Sequence, residues 1–483
     1  MRILHVGWGF SPWRPGGLIT YAEDVMAAQV AAGHDVSYFF SGRHYPIVSG
    51  PRLKRWRRGG VAMNEVINGP IVAGMELGTR TPERELHEPW TEAAFRRLVR
   101  SFRPEVVHVQ ELLGMPSSVL EIAAEEGTPV LMTLQDYFPL CATLRLLDAD
   151  GRLCTRLQVG EDCVARNTLA PEYAAVLLNE TLKFEIARWR RWLRVPGWVR
   201  VEAVADSLKK AFFDWTTTDA GARPLADPPP LTEQPELAAA FQRRRDLNVE
   251  RLSRVDRLIA QSPRVAEIYA ARGVAPERMT TLPFTLAHID GLRPRTLASP
   301  PDPIRFVTLQ GCASEPKGYG VVAGALRSLR EAGLEGRFRL RVLGFVHPDV
   351  RGELEGYDGV ELGWFYERHQ LDALLDDADV GLMPSTWEEA LGYTGLELVA
   401  KGLPLIANPL GGIVEYAREG ETAWLNRSCT GEGMAEIMAR LIADPGQVLE
   451  MHARVREARD RVVQPFARHV SALDAVYREL AVS

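Results

Sequence analysis

Cysteine is scarce in this chain and odd in number: Cys141, Cys154, Cys163, Cys312 and Cys429, five in 483 residues. That excludes a disulfide framework of the kind that staples small secreted domains. The first three cluster, but they lack a Cys-x-x-Cys pair and a fourth ligand, so reduced, mostly buried thiols are expected rather than zinc. No apolar run approaches the roughly 20 residues needed to cross a bilayer. Positive charge is not in excess either. Lys and Arg number 57 against 63 Asp and Glu, a net charge of -6, which argues against a general affinity for nucleic acid or anionic membranes. The segment Met1-Arg-Ile-Leu-His-Val-Gly7 is apolar but breaks at Trp8-Gly9 and Pro12. It reads as a first strand rather than a signal peptide, with a cytoplasmic location as the expectation. Gly-x-Gly-x-x-Gly is missing, so a dinucleotide site is not supported. What is present is an ordinary globular composition, 46% hydrophobic and 25% charged, at a length that suits two or three domains.

Apolar strands alternate with helical periodicity along both halves, which predicts parallel, doubly wound α/β sheets. In the first half, Arg2 to Val6 is a strand, followed by the loop Trp8 to Gly17 and a helix carrying Leu18, Ala22, Val25, Met26 and Val30. Gly16-Gly17 sits at the carboxyl end of that strand, where open α/β sheets bind ligands, and lets backbone approach a phosphate or an acceptor. A plain surface loop is the alternative. Val106-Val-His108-Val-Gln-Glu111 and Val130 to Gln135-Asp136 are two more apolar strands ending in polar side chains. Their ends predict a shared crevice, with His108, Glu111 and Asp136 as acceptor-binding candidates. His108 as a satisfied core histidine is the competing reading. A helical, irregular stretch runs from about 165 to 252. Within it Arg188 to Trp198 is basic and aromatic, which suits a solvated helix with buried tryptophans better than a membrane contact. Lys54-Arg-Trp-Arg-Arg58 reads as lying near a loop, and Val255 to Ser262 as the last strand of this half, with Pro263 opening a helix.

Proline-rich Gly291 to Pro303 reads as a linker. Strands at Ile304, Phe338, Val360 and Val380 follow, and a cation at Lys317 stands in the turn after the first of them. The most informative stretch is Glu389-Ala-Leu-Gly-Tyr-Thr-Gly-Leu-Glu397, between the Val380 strand and Leu403-Pro-Leu-Ile-Ala. Two carboxylates flank a glycine turn where strand gives way to helix. A helix N-terminus offers unsatisfied N–H groups and partial positive charge, here from Gly392, Tyr393, Thr394 and Gly395, to a diphosphate. Glu389 and Glu397 are then placed to hold sugar and ribose hydroxyls. The alternative is a capping box, Thr394-Gly-Leu-Glu397.

These motifs resemble those of retaining glycosyltransferases of the GT-B fold, family 4. The likeness rests on Lys317-Gly318, Ala378 to Ser385, the Glu-x7-Glu loop, Gly402-Leu-Pro-Leu-Ile-Ala and Gly411-Gly-Ile-Val-Glu415. In the first half it rests on Gly16-Gly17, Gly33-His34-Asp-Val, Val106-Val-His108 and Asp256 to Ser262. It implies two Rossmann-like domains facing a cleft. The acceptor domain spans 1–290, with the helical insertion, and is completed by a C-terminal helix at 466–483; the donor domain spans 304–465. Glu389 would bind donor-sugar hydroxyls, Glu397 the ribose diol, and Lys317 the diphosphate. Gly16 and Gly17 would close on the donor, and Trp364 or its neighbours would meet the base. The donor is a nucleoside-diphosphate sugar (UDP, GDP or dTDP). The acceptor is the hydroxyl of a saccharide, lipid-linked saccharide or small molecule. No metal or other cofactor is required; Asp148-Ala-Asp150 matches a metal-binding pair of another glycosyltransferase fold but, before Gly151, reads as a turn.

Two departures stand out. Gln135 fills a place where relatives often carry histidine, and glutamine is neither acid nor base. Gly311 to Lys317 holds no arginine, which relatives often pair with the lysine. A binding protein of the same architecture without turnover is therefore a rival reading, and a nucleotide-sugar epimerase a weaker one.

Overall fold

The computed structural model of the protein describes residues 1–45, 50–72, 74–168, 170, 235–363 and 365–482. The apolar runs pair into two sheets. The first contains β1 (Arg2–Gly7), β2 (Asp35–Ser41), β3 (Arg52–Arg58), β4 (Val61–Ile67), β5 (Val106–Val109), β6 (Val130–Leu134), β7 (Arg257–Ala260) and β8 (Met279–Thr281). Their order is β3-β4-β2-β1-β5-β6-β7-β8, and only β3 and β4 pair antiparallel. The second contains β9 (Ile304–Leu309), β10 (Phe338–Leu343), β11 (Val360–Leu362), β12 (Val380–Met383), β13 (Leu405–Ala407) and β14 (Ala423–Leu425). It is parallel throughout, in the order β11-β10-β9-β12-β13-β14. Both sheets reverse their order beside the first strand, between β1 and β5 and between β9 and β12. That reversal opens a crevice at the carboxyl ends of the strands.

Two sequence expectations are refined. Lys54 to Arg58 belongs to β3, an edge strand that runs into the Gly59-Gly60 turn. Its charged residues face outward while Trp56 turns in against Phe10, ring centroids 5.1 Å apart. A charged edge of this kind resists pairing with another chain. β8 follows the Val255–Ser262 run, which is therefore not the last strand of the first sheet. Most of the insertion expected at about 165–252, including Arg188 to Trp198, lies outside the described residues; its end forms the helix Pro235–Arg254. Asp148 is a turn residue, as its Oδ1 accepts from the N–H groups of Asp150 (3.0 Å) and Arg152 (2.9 Å). Among the described residues no helix is long and apolar enough to cross a membrane.

The C-terminal helix, Phe466–Val482, returns to the first sheet. The Tyr477 hydroxyl accepts from Gln29 Nε2 at 3.0 Å and meets His108 Nδ1 at 2.5 Å, and Tyr21 Oη meets His469 Nε2 at 2.9 Å. This corrects the reading of His108. Its other ring nitrogen is 2.7 Å from Thr133 Oγ1, and it is fully buried mid-strand, locking the returning helix rather than facing an acceptor. Burial holds the imidazole well below its ordinary pKa, and therefore neutral.

Glu111 and Asp136, at the ends of β5 and β6, are also turned inward. Glu111 Oε1 accepts from Leu112 N–H at 2.8 Å and Asp136 Oδ1 from Phe138 N–H at 2.8 Å. The acceptor role expected of them gives way to shaping the loops. Asp136 Oδ2 is buried with no N–H or O–H donor among the described residues, a place that a proton on Glu111 would fill. Burial, then the neighbouring Asp136 charge and hydrogen bond, push the Glu111 carboxyl well above the usual range. Burial pushes Asp136 up to about 6, against the pull of the Phe138 N–H and the Glu111 hydrogen bond.

Two outcomes follow. Tyr477→Phe removes the hydroxyl that accepts from Gln29 Nε2 and bonds His108 Nδ1, both buried, and should cost about 1–3 kcal/mol in a urea titration; unchanged stability would mean that the hydroxyl does not anchor the helix. The carboxyl pair keeps a proton that the unfolded chain releases, so its contribution to stability falls as pH rises from about 4 through and beyond about 6. Glu111→Gln still donates to Asp136 but does not titrate. Urea melts of this variant should lose stability less steeply than wild type between about pH 5 and about pH 8, and an equal slope would exclude the shared proton.

Candidate active site

The turn after β9 and the loop after β12 meet at the reversal of the second sheet, and backbone makes the joint. Gly318 takes a left-handed φ of 100° and lies so close to Pro384 that a Cβ there would stand 2.2 Å from its carbonyl oxygen. Thr386 N–H donates to Pro316 O at 2.9 Å. Any side chain at 318 would pry the turn away. The joint brings together the two residues that the sequence placed there. Lys317 Nζ donates to Glu389 Oε1 at 2.7 Å, and Ser385 Oγ donates to the same oxygen at 2.8 Å. From the other side, Gly411 and Gly412 cradle the loop, where a Cβ would meet Glu389 O at 2.1 Å and Ala390 O at 2.2 Å respectively. Gly412 N–H bonds Glu389 O at 2.7 Å. Glu389 is 4% exposed, with a fixed orientation and one oxygen, Oε2, that accepts from no described donor.

The loop leads into the helix Tyr393–Ala400, whose N-cap is Gly392 at φ 77° with no side-chain cap. Thr394 therefore does not form the capping box, and its hydroxyl points to Met383 Sδ at 3.6 Å. Gly395 is small because Tyr416 is there: a Cβ would stand 2.3 Å from the Tyr416 hydroxyl, which donates to Gly392 O at 2.7 Å. The helix can thus begin close beside the loop, with first-turn N–H groups that have no intrahelical acceptor. Glu397 lies in the second turn, 8% exposed, and its Oε1 is 2.7 Å from Nε2 of His288. His288 comes from the segment between the sheets, and its Nδ1 is buried without a hydrogen bond. Sequence patterning gave no sign of it.

The first sheet closes over this face. Gly17 lies against the Tyr393 ring, where a Cβ would come within 2.7 Å of Cδ2, whereas Gly16 (φ 122°) has nothing within 4 Å. Gln261 at the end of β7 donates to Tyr393 Oη at 2.9 Å, and Arg264 Nη2 donates to Glu388 Oε1 at 2.8 Å. Trp387 and Ala390 of the Glu389 loop join the apolar cluster of the first domain, with the Tyr137 and Trp387 rings edge to face at 6.2 Å. Burial and the charges of Glu388 and Glu389 push the Tyr137 phenol up, so it stays neutral. Gln135, two residues earlier, donates to Gln110 O at 3.0 Å and leaves its Oε1 buried without a donor. Trp364 lies outside the described residues. Among the described residues no three His, Cys, Asp or Glu side chains converge on a metal position, and all five thiols are free.

Residues 16–285 match the family described as glycosyl transferase 4-like domain, and residues 297–461 match glycosyl transferases group 1. A protein of Escherichia coli K12 described as a colanic acid biosynthesis glycosyltransferase, WcaL, is 30% identical over 39% of this chain and 46% of its own length. The chain thus aligns with about half the length of such curated relatives. Among solved structures, sucrose-phosphate synthase of Thermosynechococcus elongatus superposes with a TM-score of 0.60 at 15% identity, covering 100% of both chains. Anabaena HepE in complex with UDP-glucose gives 0.55 at 12% identity, covering 99% of this chain and 98% of that one. At these identities the solved structures speak to architecture, and that architecture is GT-B, two parallel-sheet Rossmann-like domains. The family matches carry the rest: the chain belongs to the glycosyl transferases, with a glycosyl transferase 4-like domain in its first half and a group 1 domain in its second.

Proposed function

We propose that this chain transfers a sugar from a nucleoside diphosphate to an acceptor hydroxyl with retention at the anomeric carbon, in the assembly of a bacterial polysaccharide. One observation carries the reading: the Lys317–Glu389–Ser385 cluster at the strand-order reversal of the second sheet, covered by the first. The colanic acid assignment of WcaL supports a polysaccharide product, and HepE, of the same fold, makes a UDP-sugar the first donor to try.

The chemistry follows from charge. As the bond between the anomeric carbon and the phosphate oxygen breaks, its electron pair stays on the diphosphate. Lys317 meets that charge, and the N–H groups that begin the Tyr393–Ala400 helix add to the field. The donor phosphates thus compete with Glu389 for Lys317, freeing the carboxylate for sugar hydroxyls. Glu397 faces the ribose diol, with His288 holding its orientation. The acceptor oxygen bonds the anomeric carbon on the face the phosphate leaves, and its proton passes to a phosphate oxygen. No general base is then needed, which suits Gln135 at the place of a histidine. Closing the two domains on the donor would limit hydrolysis.

Incubation with radiolabelled UDP-, GDP- and dTDP-sugars tests the reading; donor binding without transfer or hydrolysis would favour the silent rival, and no binding at all would sink both. Glu389→Gln keeps volume but loses charge and should lower kcat about ten- to a hundred-fold, the value of a hydrogen bond to a charged group. Unchanged kinetics would remove Glu389 from the site. Lys317→Ala should weaken nucleoside diphosphate binding about ten-fold in calorimetry, and equal affinity would take the lysine off the leaving group.

A further inference from the structure

The turn after β9 lacks an arginine beside Lys317, yet one reaches the same spot from the opposite domain. Arg145 leaves the loop after β6 and crosses the cleft, its Nη2 3.2 Å from Ser314 Oγ in the turn that carries Lys317. Both cations lie against one indole: the Arg145 guanidinium is 5.8 Å and Lys317 Nζ 5.3 Å from the Trp387 ring centroid. The chain spends conformational freedom to put it there. Leu144 (φ 68°) and Leu146 (φ 53°) flank Arg145 in the left-handed region, rare for bulky residues, and Arg145 N–H turns back to Thr143 O at 2.8 Å. The side chain is 9% exposed. Burial pushes the guanidinium down to about 10, against the pull of Glu389, so it remains charged at neutral pH. Among the described residues its carboxylate partner is Glu76, whose own side chain is 43% exposed and whose turn begins at another left-handed residue, Met75 (φ 50°).

Lys317 and Arg145 are thus two cations on one indole, each held by a carboxylate of its own domain. A bound diphosphate replaces such partners, because it offers more negative charge and more acceptor oxygens than either. We propose that Arg145 is the second cation of the leaving-group site, supplied by the first domain, and that Glu76 holds it until a diphosphate displaces that carboxylate. This rests on the reading of the cleft as a nucleoside-diphosphate sugar site. No proton moves through Arg145. It stabilises the electron pair that the phosphate oxygen keeps when the glycosidic bond to the anomeric carbon breaks. Because the two cations come from different domains, the full field exists only when the cleft is closed.

Calorimetric titration of the full chain tests the assignment. The probes are whichever of UDP, GDP and dTDP most raises the wild-type melting temperature, and the matching monophosphate. Arg145→Gln should weaken the diphosphate about ten-fold or more while changing the monophosphate by less than about two-fold. Arg145→Lys should recover part of the loss. Glu76→Gln, at an exposed carboxylate, should tighten the diphosphate about two- to five-fold, since it removes the competitor. Equal losses for both nucleotides in Arg145→Gln would mark a structural residue and overturn the proposal. So would unchanged diphosphate affinity in Glu76→Gln. A wild-type chain that binds none of the three diphosphates would instead overturn the reading of the cleft.

Discussion

A lysine and a carboxylate 2.7 Å apart, Lys317 and Glu389, stand where the second sheet reverses its strand order. Backbone brings them there more than their own chemistry does. Gly318 lies on Pro384, and Gly411 and Gly412 lie against the backbone of the Glu389 loop. With three glycines fixing the two loops, the ion pair has one geometry and loses little freedom in forming. The rest of the cleft is referenced to it. The helix Tyr393–Ala400 starts from the same loop, and its Tyr393 ring is the surface on which Gly17 of the opposite domain rests. Arg145 reaches the same indole as Lys317.

Charges in the cleft are paired within the protein: Lys317 with Glu389, Arg145 with Glu76, Arg264 with Glu388, while Glu397 hydrogen-bonds His288. Arg145, Glu388 and Glu389 are largely buried, and a buried charge left alone carries a heavy desolvation cost. Pairing removes that cost, and on the proposed function substrate entry would be an exchange of partners. Glu389 is suited to such an exchange because Ser385 still donates to it when Lys317 turns away.

How much was legible in the sequence varied with the range of the interaction. The two doubly wound sheets were readable because fully buried parallel strands leave continuous apolar runs between helical repeats. Lys317, Gly318, Glu389 and Glu397 were readable because their spacing is local to strand ends. β3, β4, β8 and β14 were not: β3 is mostly charged, β4 carries Asn64 and Glu65 in mid-run, and β8 and β14 are three-residue strands without the flanking Gly359 and Gly363 of β11 or the Gly402-Leu-Pro404 that leads into β13. His108 was misjudged because strand position alone does not say what covers it, and the cover, Tyr477, lies 369 residues away. Glu111 and Asp136 sit at strand ends as expected, but they serve each other and their own loops. His288 and Arg145 were missed for a related reason. One sits in the segment between the sheets and the other between two leucines, and only the assembled domains give either a purpose.

The indole of Trp387 has a mechanical consequence. It belongs by sequence to the loop that carries Glu389, yet it packs with Tyr137 and Ala390 among the apolar side chains of the other half. Parting the lobes extracts a large ring from that nest and exposes it to water, which penalises opening. It also slackens the loop that aims Glu389. On the proposed function, gaping and disarming would therefore be a single motion, and a guest that holds the jaws shut would also keep the acid aimed.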